Sequence, residues 1–254
     1  MKLGLVTYNM AKEWDVPTII ENCTATGFQG VELRTTHAHK VEVDLSASER
    51  QEVRKRFEDS PIELAGLGSA FEYHSTDTDE VRRNIGGTNE YSKLAADVGA
   101  PGVKVRPNGL PESVPVEATL EQIGRSLREC GEFAKNIGVQ IRVEVHGRGT
   151  SHIPHMRTIM EATAHDNVFV CWNSNQGEVE NGSIEDSFNL VKDWLQLVHI
   201  NELHREEYPW RELFTLLKAS GYSGYCLAEI PGSSDPIRVM NYYRALWKAF
   251  CGER

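Results

Sequence analysis

Four residues in the second half of the chain, Glu144, Asn173, His199 and Glu229, are of types that bind divalent cations. Each lies within or at the end of a short apolar run: QIRVEVH (140–146), VFVCWN (168–173), LVHINEL (197–203) and YCLAEI (225–230). Two carboxylates, an imidazole and an amide oxygen form a mixed oxygen and nitrogen donor set. That set suits Mn²⁺ first, with Mg²⁺, Co²⁺ or Fe²⁺ as alternatives, rather than a thiolate-bound zinc. Two glutamates buried together repel, and one takes up a proton unless a cation stands between them. A competing reading pairs the glutamates with Lys104, Arg106 or Arg142 and leaves His199 hydrogen-bonded in the core. It suffices for any one residue, whereas four such residues on successive runs favour a metal site. The stretch VFVCWNSNQGE (168–178) sharpens the point, because a buried strand there ends on the amides Asn173, Asn175 and Gln176.

The elements that must hold these residues alternate along the chain. Short β-branched runs occur at 2–8, 30–34, 62–68, 102–106, 140–146, 168–173, 197–203 and 225–230, many bounded by turn residues. Between them lie segments of helical spacing. The clearest is 118–138, with Leu120, Ile123, Leu127, Cys130, Phe133 and Ile137 at steps of three and four, followed by 209–221. Both are expected to stop on glycine, and a last helix over 236–250 opens with Pro236. Eight strand–helix units in 254 residues predict an α/β fold, a single (β/α)8 TIM barrel spanning 1–254. In such a barrel chemistry gathers at the C-terminal strand ends. Those ends offer Tyr8, Asn9, Glu32, Arg34, Ser69, Lys104, Arg106, Glu144, His146, Asn173, Asn175, His199, Asn201, Glu202 and Glu229. Residues 37–44, with His37 and His39, form a longer loop expected near the mouth. Lys104 and Arg106 share a face, where they either bind a phosphate or carboxylate or pair with Glu144 or Glu32. Arg205, in the polar HREE turn, is within reach of an anionic or polyhydroxyl ligand.

Composition narrows the partners. With 40% hydrophobic and 25% charged residues the chain is an ordinary globular protein. Its formal charge of −10 argues against a nucleic-acid face, since that affinity comes from Lys and Arg on phosphates. Five scattered cysteines without a CxxC pair read as core residues of a reducing compartment. No stretch approaches the ~18 apolar residues of a membrane span, and the N-terminus lacks a signal-peptide core, so a cytoplasmic location is expected. A homodimer is the default assembly for a soluble enzyme.

The eight-unit pattern, with VEVHG, VHINEL and GYSGYCLAEI at the fifth, seventh and eighth strand ends, resembles the xylose-isomerase-like TIM barrels of the sugar phosphate isomerase/epimerase group. That group includes ketose 3-epimerases, hydroxypyruvate isomerase, inosose dehydratase and endonuclease IV. The resemblance implies that Glu144, His199 and Glu229 occupy the family's metal-binding positions. The sixth strand departs from it: where many members have Asp-x-x-His, this chain has Asn173 and Gln176. Asn173 then stands for an anionic metal ligand and Gln176 for a substrate-binding imidazole.

The resemblance implies a metal-assisted isomerase or epimerase of a small ketose, aldose or keto-polyol. Glu144 and Glu229 would exchange a proton with an enediolate, and His146 would bind a substrate hydroxyl. The alternatives are an inosose-dehydratase-like lyase and a non-catalytic sugar-binding barrel. An endonuclease-IV-like activity is disfavoured, as no basic stripe is visible for a duplex.

Overall fold

The computed structural model describes residues 1–252. The strands are β1 (Lys2–Val6), β2 (Gly30–Arg34), β3 (Glu63–Gly68), β4 (Gly102–Val105), β5 (Gln140–Glu144), β6 (Val168–Trp172), β7 (Leu195–Ile200) and β8 (Tyr225–Ala228). They pair in parallel and in sequence order, and β8 closes on β1 through Lys2–Tyr225 to Leu5–Ala228. The expected (β/α)8 barrel is therefore observed. The helices between and after them are α1 (Val16–Thr26), α2 (Ala47–Glu58), α3 (Thr78–Val98), α4 (Val116–Lys135), α5 (Ile153–Thr163), α6 (Glu185–Val191), α7 (Trp210–Ala219) and α8 (Pro236–Cys251). Among the described residues no helix is long and apolar enough to cross a membrane.

Local chemistry sets the helix boundaries. Asp15 accepts a hydrogen bond from the Thr18 N–H at the start of α1, and Ser46 with Glu49 forms a capping box on α2. Helices α4 and α7 stop slightly before the glycines expected to end them. Asn136 and Ser220 close them in right-handed conformation, and Gly138 (φ 72°) and Gly221 (φ 75°) then turn the chain into β5 and β8. Several strands are shorter than their apolar runs: β1 ends at Val6, so Tyr8 and Asn9 belong to the loop that follows it.

The apolar core lies mainly between the barrel and its helices, and a smaller cluster of Val6, Ala65, Cys171, Leu197 and Leu227 forms a separate apolar group on the strands. Side chains alternate along each strand, so every second residue points inward. Trp172 follows this rule. It points away from the phase of Asn173, packs edge-on to Phe188 at 5.8 Å between ring centres and donates its Nε1–H to the Tyr208 hydroxyl at 2.9 Å.

The loop between β2 and α2 is tied down rather than free. The Glu42 carboxylate accepts from the Thr35 hydroxyl at 3.0 Å, the Thr36 N–H at 2.6 Å and the Tyr91 hydroxyl. His37 Nδ1 meets the Thr7 hydroxyl at 3.0 Å, which holds the loop against the end of β1.

Helices α4 and α5 meet closely at Gly124, where an added Cβ would fall 2.7 Å from Ala162 Cβ and 3.0 Å from the Ile159 carbonyl oxygen. One of those neighbours is backbone, which cannot swing aside. Gly124→Val is therefore expected to destabilise the fold by about 1–3 kcal/mol, read as a fall in Tm of roughly 2–10 °C by calorimetry.

Candidate active site

At the C-terminal end of the strands lies a cavity of about 350 Å³ lined by Tyr8, Arg34, Lys104, Arg106, Glu144, His146, Asn173, Asn175, Asn201 and Glu229. His199, completely buried, lies beneath it. Its Nδ1 is 3.5 Å from Glu144 Oε1 and 3.7 Å from Glu229 Oε2. Glu144, His199 and Glu229 each offer one donor atom within 4.8 Å of the others. Asn173 joins them by donating its Nδ2–H to Glu144 Oε1 at 3.0 Å, while its Oδ1 is buried without a hydrogen-bond partner. The four residues singled out in the sequence are thus brought together.

Glu144 pairs with a base and still turns one oxygen to the cluster. Lys104 Nζ donates to its Oε2 at 2.7 Å, and both side chains are almost wholly buried. The other oxygen, Oε1, faces Asn173 and His199. Arg142 is not the partner: its guanidinium donates to the Ala65 carbonyl at 2.8 Å and to Gln140. Arg106 is held by Glu72 at 2.6 Å, and the same Glu72 oxygen accepts from Asn108. His146 lines the cavity with Nδ1 2.6 Å from Asn108 Oδ1.

Gln176 and Arg205 are not brought to this cavity. After β6 the chain turns through Ser174 (φ 48°) into a short 3-10 turn, Gln176–Glu178, which carries Gln176 outward to the Glu207 carbonyl at 3.4 Å. Arg205 pairs with Glu202 at 3.1 Å and lines a separate apolar groove with Trp210 and Phe250.

Glu32, which the sequence offers as an ion-pair partner for Lys104 or Arg106, instead stands against His199. It is buried on β2, one inward position before Arg34, and its Oε1 lies 3.3 Å from His199 Nε2. A carboxylate beside that nitrogen favours a proton there and turns Nδ1, the atom that would bind a metal ion once deprotonated, to Glu144 and Glu229, as in many metal-binding histidines. An acidic residue inside the apolar run GVELR was the available signal. Gly68, opposite Arg34 on β3, makes room for it, since a Cβ there would fall 2.8 Å from Glu32 Oε1.

The two inner glutamates sit in different fields. Burial works to raise the pKa of Glu144, but Lys104 and His199 outweigh it and hold the carboxyl well below its usual range. Burial dominates at Glu229, with Glu144 adding to it, and the pKa moves up despite His199. For His199, burial opposes the imidazolium while the Cys171 sulfur and the carboxylates of Glu32 and Glu144 more than offset it, so the pKa moves well up.

The residues fit a divalent ion. Asn173 Oδ1 and His199 Nδ1 are buried polar atoms without hydrogen-bond partners, a costly condition that a ligand would relieve. The donors are mainly carboxylate and amide oxygens with one imidazole, a set for a borderline or hard cation.

Beneath Asn175 lies a second buried network. Asn175 donates to the Val145 carbonyl at 2.7 Å and to Glu178, which also accepts from the Tyr208 hydroxyl at 2.8 Å. Burial pushes the Glu178 carboxyl up to about 8.

Comparison with known proteins places this geometry in a family. A family model described as xylose isomerase-like TIM barrel matches residues 20–246. No curated protein matches the chain by sequence. Among solved structures, D-psicose 3-epimerase from Clostridium cellulolyticum H10, crystallised with D-tagatose, superposes with a TM-score of 0.82 at 17% identity, covering 100% of both chains. The IolI protein with a bound zinc atom gives 0.82 at 17% identity over 99% of this chain and 98% of that one. The probable 3-DHS dehydratase AsbF of Bacillus anthracis gives 0.74 at 14%, covering 97% and 99%. At these identities the likeness establishes the fold.

Two outcomes follow from the site's electrostatics. A metal ion must displace the His199 proton, because the raised pKa keeps the imidazole charged at neutral pH. Apparent Mn²⁺ affinity should therefore rise with pH, by up to about tenfold per unit while His199 stays protonated, and calorimetry in buffers of different ionisation enthalpy should register proton release. Glu178 is protonated when folded and ionised when unfolded between its ordinary pKa and about 8. Stability should fall as pH rises through that window, and Glu178→Gln should flatten the slope of Tm against pH. The match over most of the chain, together with the closed eight-stranded barrel, means that this protein belongs to the xylose isomerase-like TIM barrel family.

Proposed function

We infer that the protein is a divalent-metal-assisted isomerase or epimerase of a small ketose, aldose or keto-polyol, working through an enediolate. The observation that carries this reading is the pair Glu144 and Glu229, set in opposite electrostatic environments beside unpartnered Asn173 and His199 atoms. Glu144, Asn173, His199 and Glu229 would hold the ion. Bound there, it would supply Lewis-acid polarisation of a carbonyl and its neighbouring hydroxyl, which acidifies the carbon-bound proton and stabilises the resulting anion. Mn²⁺ fits the donor set best, and a structural neighbour's bound zinc supports a divalent ion in this kind of barrel.

The chain's own groups divide the proton transfers. Glu144, kept ionised by Lys104, takes the proton from carbon. Glu229 would return a proton to the enediolate through the carboxyl oxygen that does not hold the ion. Burial lowers the pKa of His146, so its neutral ring can face a substrate hydroxyl while Asn108 fixes its orientation. Lys104 serves as the positioning cation of Glu144. A dehydratase on the same scaffold would share the first step and then expel a β-hydroxyl; the dehydratase among the structural neighbours supports keeping that reading, and product analysis separates the two.

The test is wash-in of solvent deuterium at the substrate carbon, followed by NMR over a panel of ketoses. Glu144→Gln and Glu229→Gln are each expected to slow exchange by about 10²–10⁴-fold. Exchange persisting at the wild-type rate in both variants would overturn the reading. Asn173→Asp adds a carboxylate beside Glu144, so it should lower the metal-free Tm and enlarge the rise in Tm on adding Mn²⁺.

A further inference from the structure

The geometry points to a substrate that carries an anionic group, a carboxylate or a phosphate, held by Arg34 and Arg106 at the ends of β2 and β4. This rests on reading the cavity as a sugar site.

Arg34 and Arg106 line the same cavity as Glu144 and Glu229. The carboxylates around that cavity are already engaged. Glu144 is bonded to Lys104, Glu72 to Arg106 and Asn108, while Glu229 and Glu32 face His199. Arg34 is left over. Among the described residues no carboxylate lies within 4.0 Å of its guanidinium, which rests only on the Tyr8 ring at 5.5 Å. Arg106 is only partly satisfied, because its Nε–H is buried and has no acceptor.

The intervening strand puts no bulky side chain of its own between the two, and the buried Glu32 carboxylate lies beside its Gly68. Arg34 is in register with Gly68 on β3, and Gly68 with Lys104 on β4, two residues before Arg106. Gly68 presents no side chain, and Ser69 turns its hydroxyl to the Lys104 carbonyl at 2.7 Å. The mouth between the ends of β2 and β4 thus carries two guanidiniums, and the acids beside them, Glu32 and Glu72, are already paired with His199 and with Arg106 and Asn108.

Charge balance agrees. With a divalent ion in place and the His199 proton displaced, Arg34, Lys104, Arg106 and the ion face the carboxylates of Glu32, Glu72, Glu144 and Glu229, which leaves an excess of positive charge. Asn173, where a carboxylate would have added a negative charge, enlarges that excess. A neutral sugar would leave a partly desolvated guanidinium uncompensated. An anionic group would give it charge-assisted, two-pronged hydrogen bonds.

Titration calorimetry in Mn²⁺-containing buffer with D-fructose, D-fructose 6-phosphate and D-fructuronate tests the proposal by binding alone. At least one charged sugar should bind about tenfold or more tightly than D-fructose. The phosphate ester alone would identify a phosphate subsite, and the uronate alone a carboxylate subsite. In Arg34→Gln the preference should shrink toward one, and Arg34→Lys, which keeps the charge and guards against a folding defect, should restore part of it. D-Fructose binding as well as both charged sugars, or an undiminished preference in Arg34→Gln, overturns the anion subsite and leaves the sugar reading standing. No binding by any of the three overturns both.

Discussion

The buried ion pair between Lys104 and Glu144 is the interaction on which the arrangement of the site depends. Taking both charges out of water is expensive, and only close geometry with further hydrogen bonds repays it. At 2.7 Å the pair fixes one oxygen of Glu144 and thereby directs the other at Asn173 and His199. The same pairing explains why an amide is well accommodated at position 173. A carboxylate there would stand beside Glu144 and Glu229 with one lysine and one histidine to neutralise them all. The asparagine instead donates a hydrogen bond to Glu144 and still offers its oxygen to the cluster.

A second constraint is the division of labour between strands and loops. The strands deliver Glu32, Lys104, Glu144 and His199 inside the closed barrel and bury them almost completely. The residues beyond the strand ends follow local rules. Ser174 adopts a left-handed conformation with its hydroxyl on the His199 carbonyl, and the following turn is anchored by the buried Trp172–Tyr208–Glu178 chain of hydrogen bonds. That anchor keeps Asn175 at the cavity and sends Gln176 away from it. The position that the family resemblance would give to a substrate-binding imidazole is thus taken up by a turn that carries Gln176 outward.

Much of this was legible in the sequence. The eight apolar runs and the helical spacing between them were enough for the barrel. The two-residue period of a strand put Glu144, Asn173, His199 and Glu229 on inward positions at one end. Side-chain direction along a strand is a local property, so a single sequence carries it.

Pairing between strands is not local. Whether Lys104 meets Glu144 or Glu32, whether Arg106 meets Glu72, and whether Glu32 reaches His199 depend on register and on the shear of the closed barrel, which no one strand encodes. The same holds for Arg34: its place at a strand end was readable, whereas its lack of an acidic partner is a fact about every element around the mouth. Gln176 and Arg205 diverged from expectation for a related reason, since a 3-10 turn and a neighbouring Glu202 redirect them and neither is visible in residue spacing. The sequence by itself determined the barrel and the inward-facing donors, because alternation and turn chemistry are set within a few residues. Only the tertiary structure decided which charges neutralise which, because that is set by distances between strands brought together by closure of the sheet.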